Sequence, residues 1–203
     1  MKLHVPFYKQ TSSMNCGVLA LRMVLSYYGK DLGIKLLDKL IETKEGKGIY
    51  TVQLATTAAS LGYYTELFST HDTFNADNLK HEFYNTFGHL NFEDLDHWFQ
   101  RSKRVGVNHI RKTLSIKKLL KYLMEDSIPI VLVDWNVIRK RQKDGYFGHY
   151  IPVVGYDDKN IYIHNPSLND AQEFMPIPRS TFDKARKADG TDGDVIVVHR
   201  KND

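Results

Sequence analysis

The sequence predicts an α+β fold, with an N-terminal helical layer packed on a C-terminal antiparallel sheet. Before residue 62 apolar residues recur at helical spacing in three stretches, whereas from residue 128 onward β-branched runs alternate with turn residues. Helices first and strands later, in 203 residues, fit one large domain, 1–203, with an insertion at 63–112. Hydrophobic residues at 42 % and charged residues at 26 % are ordinary globular values, so the chain can bury a full core.

Taken in order, residues 2–8 form an extended segment in which Pro6 suits a sheet edge. Polar turn residues (Thr11, Ser12, Ser13, Asn15) then give way to Leu19, Met23 and Tyr27, with Leu21 and Leu25 beside them. A helix therefore opens at Cys16, and Gly29 ends it in a left-handed cap. A second helix spans 34–41 until Gly46 and Gly48 break the pattern, and a third spans 51–61 with Thr51 as its cap and Gly62 as its stop. Residues 63–68 have strand character. The segment 70–112 is polar and aromatic, with short helices expected near 76–86 and 92–101. It reads either as a lid or recognition element or as aromatic packing against the body. An amphipathic helix over 115–125 places Ile116, Leu119, Leu120 and Leu123 on one side. Strands follow at 128–135, 149–156, 161–164 and 195–199, and the turn at 157–160 makes the second and third a hairpin.

No apolar run approaches the roughly 20 residues that cross a bilayer, and the N-terminus lacks the basic and apolar regions of a secretion signal. A cytoplasmic protein is expected, with signal-independent export left open. A single cysteine leaves no internal disulfide. The net charge of +4 comes from 28 basic and 24 acidic residues scattered along the chain, which reads as solvated faces and not as a nucleic-acid stripe. His81-Glu82 lacks the second histidine of a zinc helix, and Asp94, Asp96 and His97 form only a loose cluster. No metal or other cofactor is expected.

The chemistry gathers at four positions. Cys16 stands at a helix N-terminus, where the dipole and unpaired N–H groups favour thiolate, so it is expected to label quickly at neutral pH. A lone cysteine is more often a small buried apolar residue, and a lone histidine more often a hydrogen-bonded core residue. Yet His149 begins one hairpin strand and Asn165 ends the next, so an antiparallel pairing sets them side by side. An imidazole that moves the thiol proton, and an amide oxygen that holds the imidazole, complete a nucleophilic site. Gln10, six residues before the cysteine, offers an amide to an oxyanion. His164 should face the other side of its strand and be structural.

In this combination the residues resemble the bacteriocin-processing cysteine peptidase domain of ABC exporters, which cleaves leader peptides after a double glycine. The resemblance rests on Gln10, Cys16-Gly17, Tyr27-Tyr28-Gly29, Gly148-His149-Tyr150, Val153-Val154-Gly155-Tyr156 and Asn165-Pro166, and it covers 4–62 and 115–167. It implies a papain-like fold with Cys16 as nucleophile, His149 as general base and acid, Asn165 as orienting residue and Gln10 as oxyanion donor. Three features depart from the family: Asn165 where an acidic residue is usual, a longer path through 63–112, and no transmembrane or G-x-x-x-x-G-K-[ST] region. The expected activity is a cysteine peptidase or related acyl-transfer hydrolase acting on a peptide or protein. The alternatives are an acyltransferase or transglutaminase-like enzyme of the same fold and a catalytically silent peptide-binding relative.

Overall fold

The computed structural model describes residues 1–201. Its first helix, α1 (Cys16–Tyr27), is mostly apolar, and from Val18 to Leu25 every residue except Arg22 has no exposure to solvent. Arg22 and Ser26, one turn apart, make a narrow face to water where both bond Asp31, and the rest of the helix forms the middle of a core. Gly29, at φ +84°, lets the chain turn away beyond its end. Helices α2 (Ile34–Ile41) and α3 (Thr51–Ser60) pack beside it.

The sheet against which α1 lies has seven strands: β1 (Thr65–Ser69), β2 (Asn108–Arg111), β3 (Ser127–Asp134), β4 (Gly148–Tyr156), β5 (Asn160–Asn165), β6 (Gln172–Pro178) and β7 (Val195–His199). Their spatial order is β2-β1-β7-β3-β4-β5-β6; β1 and β2 run parallel and every other neighbouring pair antiparallel. Four further helices precede the last two strands: α4 (Glu82–Phe87), α5 (Phe92–Arg104), α6 (Ile116–Lys121) and α7 (Trp135–Ile138). An eighth, α8 (Arg179–Ala185), follows β6 and packs on α7.

The helix and strand stretches expected from the pattern are present, with three differences of physical origin. Residues 63–112 are built into the sheet through β1 and β2, and α5 rests on α3. The helix expected over 115–125 is shorter, capped by the Ser115 hydroxyl, which accepts from the Lys118 amide at 3.3 Å. The strand expected to reach Trp135 stops at Asp134, because that carboxylate accepts from the Asn136 amide at 3.0 Å and starts α7. The N-terminal arm is not a regular strand. It runs along β4 through the Leu3 amide on the Val154 carbonyl (2.8 Å), and the Gln10 amide then donates to the Pro166 carbonyl (2.7 Å).

Gly17 sits where α1, the start of α3 and strand β4 come close together. A β-carbon there would stand 2.6 Å from Ile49 Cδ1, 3.0 Å from Tyr150 Cδ2 and 3.1 Å from Leu54 Cδ1. Gly17→Ala is therefore expected to lower stability, since crowding of about 1–3 kcal/mol exceeds a gain in helix propensity of up to about 1 kcal/mol. Urea unfolding checks this: a midpoint equal to or above that of the parent would refute the close contact.

Candidate active site

Helix α1 carries Cys16 at its first position, and β4 carries His149 at its second. Both line one cleft, together with Gln10, Met14, Trp135, Arg139, Gly148 and the loop from Ser167 to Asn169. Among the described residues no hydrogen bond joins Cys16 to His149. Asn165 ends β5, beyond a register shift after Ile163, and its Oδ1 lies 3.0 Å from His149 Nε2.

The bonds around Asn165 decide which ring nitrogen holds the proton. Its Nδ2 donates to the Asp170 carbonyl at 2.6 Å, and its Oδ1 accepts from the Ser167 amide at 3.2 Å, which fixes the amide with its oxygen toward the ring. A carbonyl oxygen only accepts, so Nε2 of a neutral His149 carries the hydrogen and Nδ1 keeps its lone pair. Trp135 covers the ring at 4.6 Å between centroids. Arg139 lies over Trp135 at 5.6 Å and is ion-paired with Asp170 at 2.8 Å, closing a belt around the histidine.

Burial sets the charge state of both groups. It pushes the Cys16 thiol above its ordinary range, while backbone N–H groups of Tyr150 and Gly17 act the other way. Burial also pushes His149 down to about 4; the Asn165 bond opposes this, and the Asp170 and Arg139 charges act in opposite directions. The thiolate expected from the helix N-terminus is not what burial favours: removal from water raises the Cys16 thiol and lowers the His149 imidazolium, so both groups lean toward their neutral forms.

Gln10 is buried in the same cleft, where its Nε2 donates to the Ser12 carbonyl at 3.2 Å. His164 stands apart, its Nε2 on the Val5 carbonyl at 2.8 Å and its Nδ1 accepting from the Phe174 amide at 3.1 Å. Among the described residues, no three His, Cys, Asp or Glu side chains are grouped to hold a metal. No helix among them is long and apolar enough to cross a membrane. Sequence reasoning missed Trp135, Arg139 and Asp170. The first was findable, because a hairpin that pairs Val133 with His149 sets Trp135, two residues on and on the same face, diagonally across from His149.

A second cleft opens on the other side of Cys16. Met14, Cys16 and Gly148 belong to both, so the thiol sits on the ridge between them. The second cleft runs beneath Tyr50, Phe74 and Tyr84 to Asp194, and residues 63–112 supply much of its wall.

Solved structures place this architecture among cysteine peptidase domains. A structure described as a C39-like peptidase from Bacillus anthracis superposes with a TM-score of 0.61 at 16 % identity, covering all of both chains (100 % and 100 %). A double-glycine-motif protease from an AMS/PCAT transporter, in complex with a leader peptide, gives 0.55 at 16 % identity over 98 % of this chain and 94 % of that one. The peptidase domain of Streptococcus ComA gives 0.55 at 15 %, over 98 % and 100 %. The fold is therefore that of the C39-like, papain-like peptidases.

The family is a different one. The profile described as guanylylate cyclase matches residues 5–198, and the chain belongs to that family. A relative within reach of sequence comparison is Guanylyl cyclase 1 of Arabidopsis thaliana, 26 % identical over 219 residues that cover 98 % of this chain and 77 % of that protein. The resemblance to the bacteriocin-processing peptidases holds for the fold and is corrected for the family.

Two pH effects follow from the buried pair. His149 titrates near 4 in the folded chain against about 6.5 when unfolded. The unfolded chain binds more protons between those values, so this contribution to stability is complete above about pH 6.5 and is lost as pH falls toward 4, up to about 3 kcal/mol. Urea titrations from pH 4 to 6.5 are expected to show a shallower slope for His149→Gln than for the parent; equal slopes would contradict the buried neutral ring. Alkylation of Cys16 by iodoacetamide should still be rising at pH 9 and should not level off near neutrality.

Proposed function

We propose that the chain is a cysteine-dependent acyl-transfer enzyme acting on a peptide-like or isopeptide-like carbonyl. The observation that carries the reading is the His149–Asn165 bond at 3.0 Å, which leaves Nδ1 as the free base in a cleft shared with Cys16. In the proposed reaction the Cys16 sulfur attacks the carbonyl carbon and its proton passes to His149 Nδ1. The oxyanion is received by the backbone N–H of Cys16 and by Gln10, whose amide first releases Ser12. His149 then protonates the departing amine, and water, or a second amine in a transferase, releases the acyl group from sulfur. Asn165 holds the ring in the right tautomer throughout.

Charge need not be separated before the substrate arrives. The peptide-bound neighbour supports a peptide as partner, and the segment 63–112 supplies walls to the cleft beside the thiol, as a recognition element would. A different reading comes from the family name, the cyclisation of a guanine nucleotide. Against it stands the charge around Cys16: Arg139 on one side is held by Asp170, and Asp192 and Asp194 line the other, which disfavours a triphosphate.

Cys16→Ala is expected to abolish turnover with the fold retained. Asn165→Ala is expected to lose part of the roughly 10²–10⁴-fold that a positioned base contributes, whereas Asn165→Asp is tolerated. The measurement is release of amine from a peptide library, run in parallel with GTP and detection of a cyclic product. Wild-type peptide turnover by Cys16→Ala, or cyclic nucleotide formed at equal rates by both proteins, would overturn the assignment.

A further inference from the structure

The cleft on the Asp194 side of Cys16 has an unbalanced polar inventory. Asn78 is 2 % exposed; its Nδ2 donates to Asp192 Oδ2 at 2.6 Å, while its Oδ1 has no partner. Asp194 Oδ1 is likewise buried without a partner. Both residues line this cleft, so it presents two unmet acceptors and, among the described residues of its wall, no lysine or arginine. A buried acceptor left unpaired is unfavourable, and an incoming donor would relieve it.

The remaining wall is aromatic. Tyr50 meets Phe74 edge-on at 5.5 Å and 87°, and Phe74 meets Tyr84 at 6.0 Å and 62°. Tyr84 in turn is stacked on Tyr146 at 5.5 Å and 3°. A cation placed over an open ring face of this wall is attracted by the ring quadrupole. The space open to the centres of water-sized groups is about 60 Å³, a few times the roughly 10–15 Å³ that one water requires. That suits the head of one long side chain. The acceptors, the faces and the absence of an opposing cation all describe the same occupant.

We infer that this cleft receives a lysine or arginine side chain of the substrate, its ammonium or guanidinium held by Asn78 Oδ1 and Asp194 against the Tyr50–Phe74–Tyr84 corner. The inference rests on the acyl-transfer reading for its placement beside a scissile bond, although the binding itself does not. Burial, with the Asp192 charge adding to it, holds the Asp194 carboxyl up at about 7, and the Thr51 and Ser69 hydroxyls only partly offset this. A bound cation would supply the missing counter-charge.

The test is binding, measured by NMR titration on the full chain carrying Cys16→Ala so that no probe is consumed. The probes are the N-acetyl methylamides of lysine, arginine and norleucine, with guanosine as a fourth. The cationic probes are expected to bind at least about tenfold more tightly than norleucine, with shifts at Asn78, Phe74 and Asp194. Asp194→Asn, and separately Phe74→Leu should the first fail to fold, are expected to reduce that preference at least threefold. Equal affinity for lysine and norleucine, or a cation preference unchanged by both variants, would overturn the inference, as would guanosine binding more tightly than either cation. A cation preference without peptide turnover would leave the cleft assignment standing and remove the acyl-transfer reading; turnover without preference would do the reverse.

Discussion

The enclosure of α1 is the constraint on which the rest depends. A helix in which seven of the eight residues from Val18 to Leu25 are out of water must be surrounded, and β4 on one side with α2 and α3 on the other do this. Its first residue is carried into the interior with it. Cys16 therefore owes both its fixed position and its dehydrated thiol to the same packing, and Gly17 is small because Ile49, Leu54 and Tyr150 come this close.

Dehydration has a second effect, on the histidine. A base held neutral far below physiological pH is ready to accept a proton at once, but it stabilises the resulting imidazolium poorly. A carboxylate in place of Asn165 would supply that stabilisation directly. Here the acid whose charge favours the imidazolium is Asp170, which meets Asn165 through its backbone carbonyl and whose carboxylate is already paired with Arg139. The belt of Trp135, Arg139 and Asp170 thus trades electrostatic help for exclusion of water around the ring.

Much of the fold could be read in the sequence where a local signal coincides with the tertiary outcome. The helix from Cys16, its glycine stop, the 157–160 turn and the resulting contact of His149 with Asn165 all follow from spacing and turn chemistry. Strand β6 escaped notice because Pro176 and Pro178 sit within it, a composition that argues against a strand unless the strand lies at an edge, as this one does. Strand β2 is four mostly polar residues paired in parallel with β1, a non-local pairing that no short window reveals. The charge state of Cys16 was misjudged for a related reason: a helix dipole is visible in a sequence, but the walls that strip away water are not. Family membership escaped as well, because motifs around a nucleophile travel with a fold more faithfully than with a lineage.

The position of β7 carries one last consequence. The final strand in chain order lies between β1 and β3, and it is the only link in the ladder between the β2-β1 pair and the β3-β4-β5-β6 group. Leu67 and Ser69 on one side of that seam and Leu132 on the other line the cleft beside Cys16, and Asp194 immediately precedes the strand. Cys16 lies near the start of the chain, yet the two half-sheets stay unjoined until residues 195–199 have paired with both. Such long-range pairing makes for slow folding, and the cleft beside Cys16 gains its full wall only when that strand is in place.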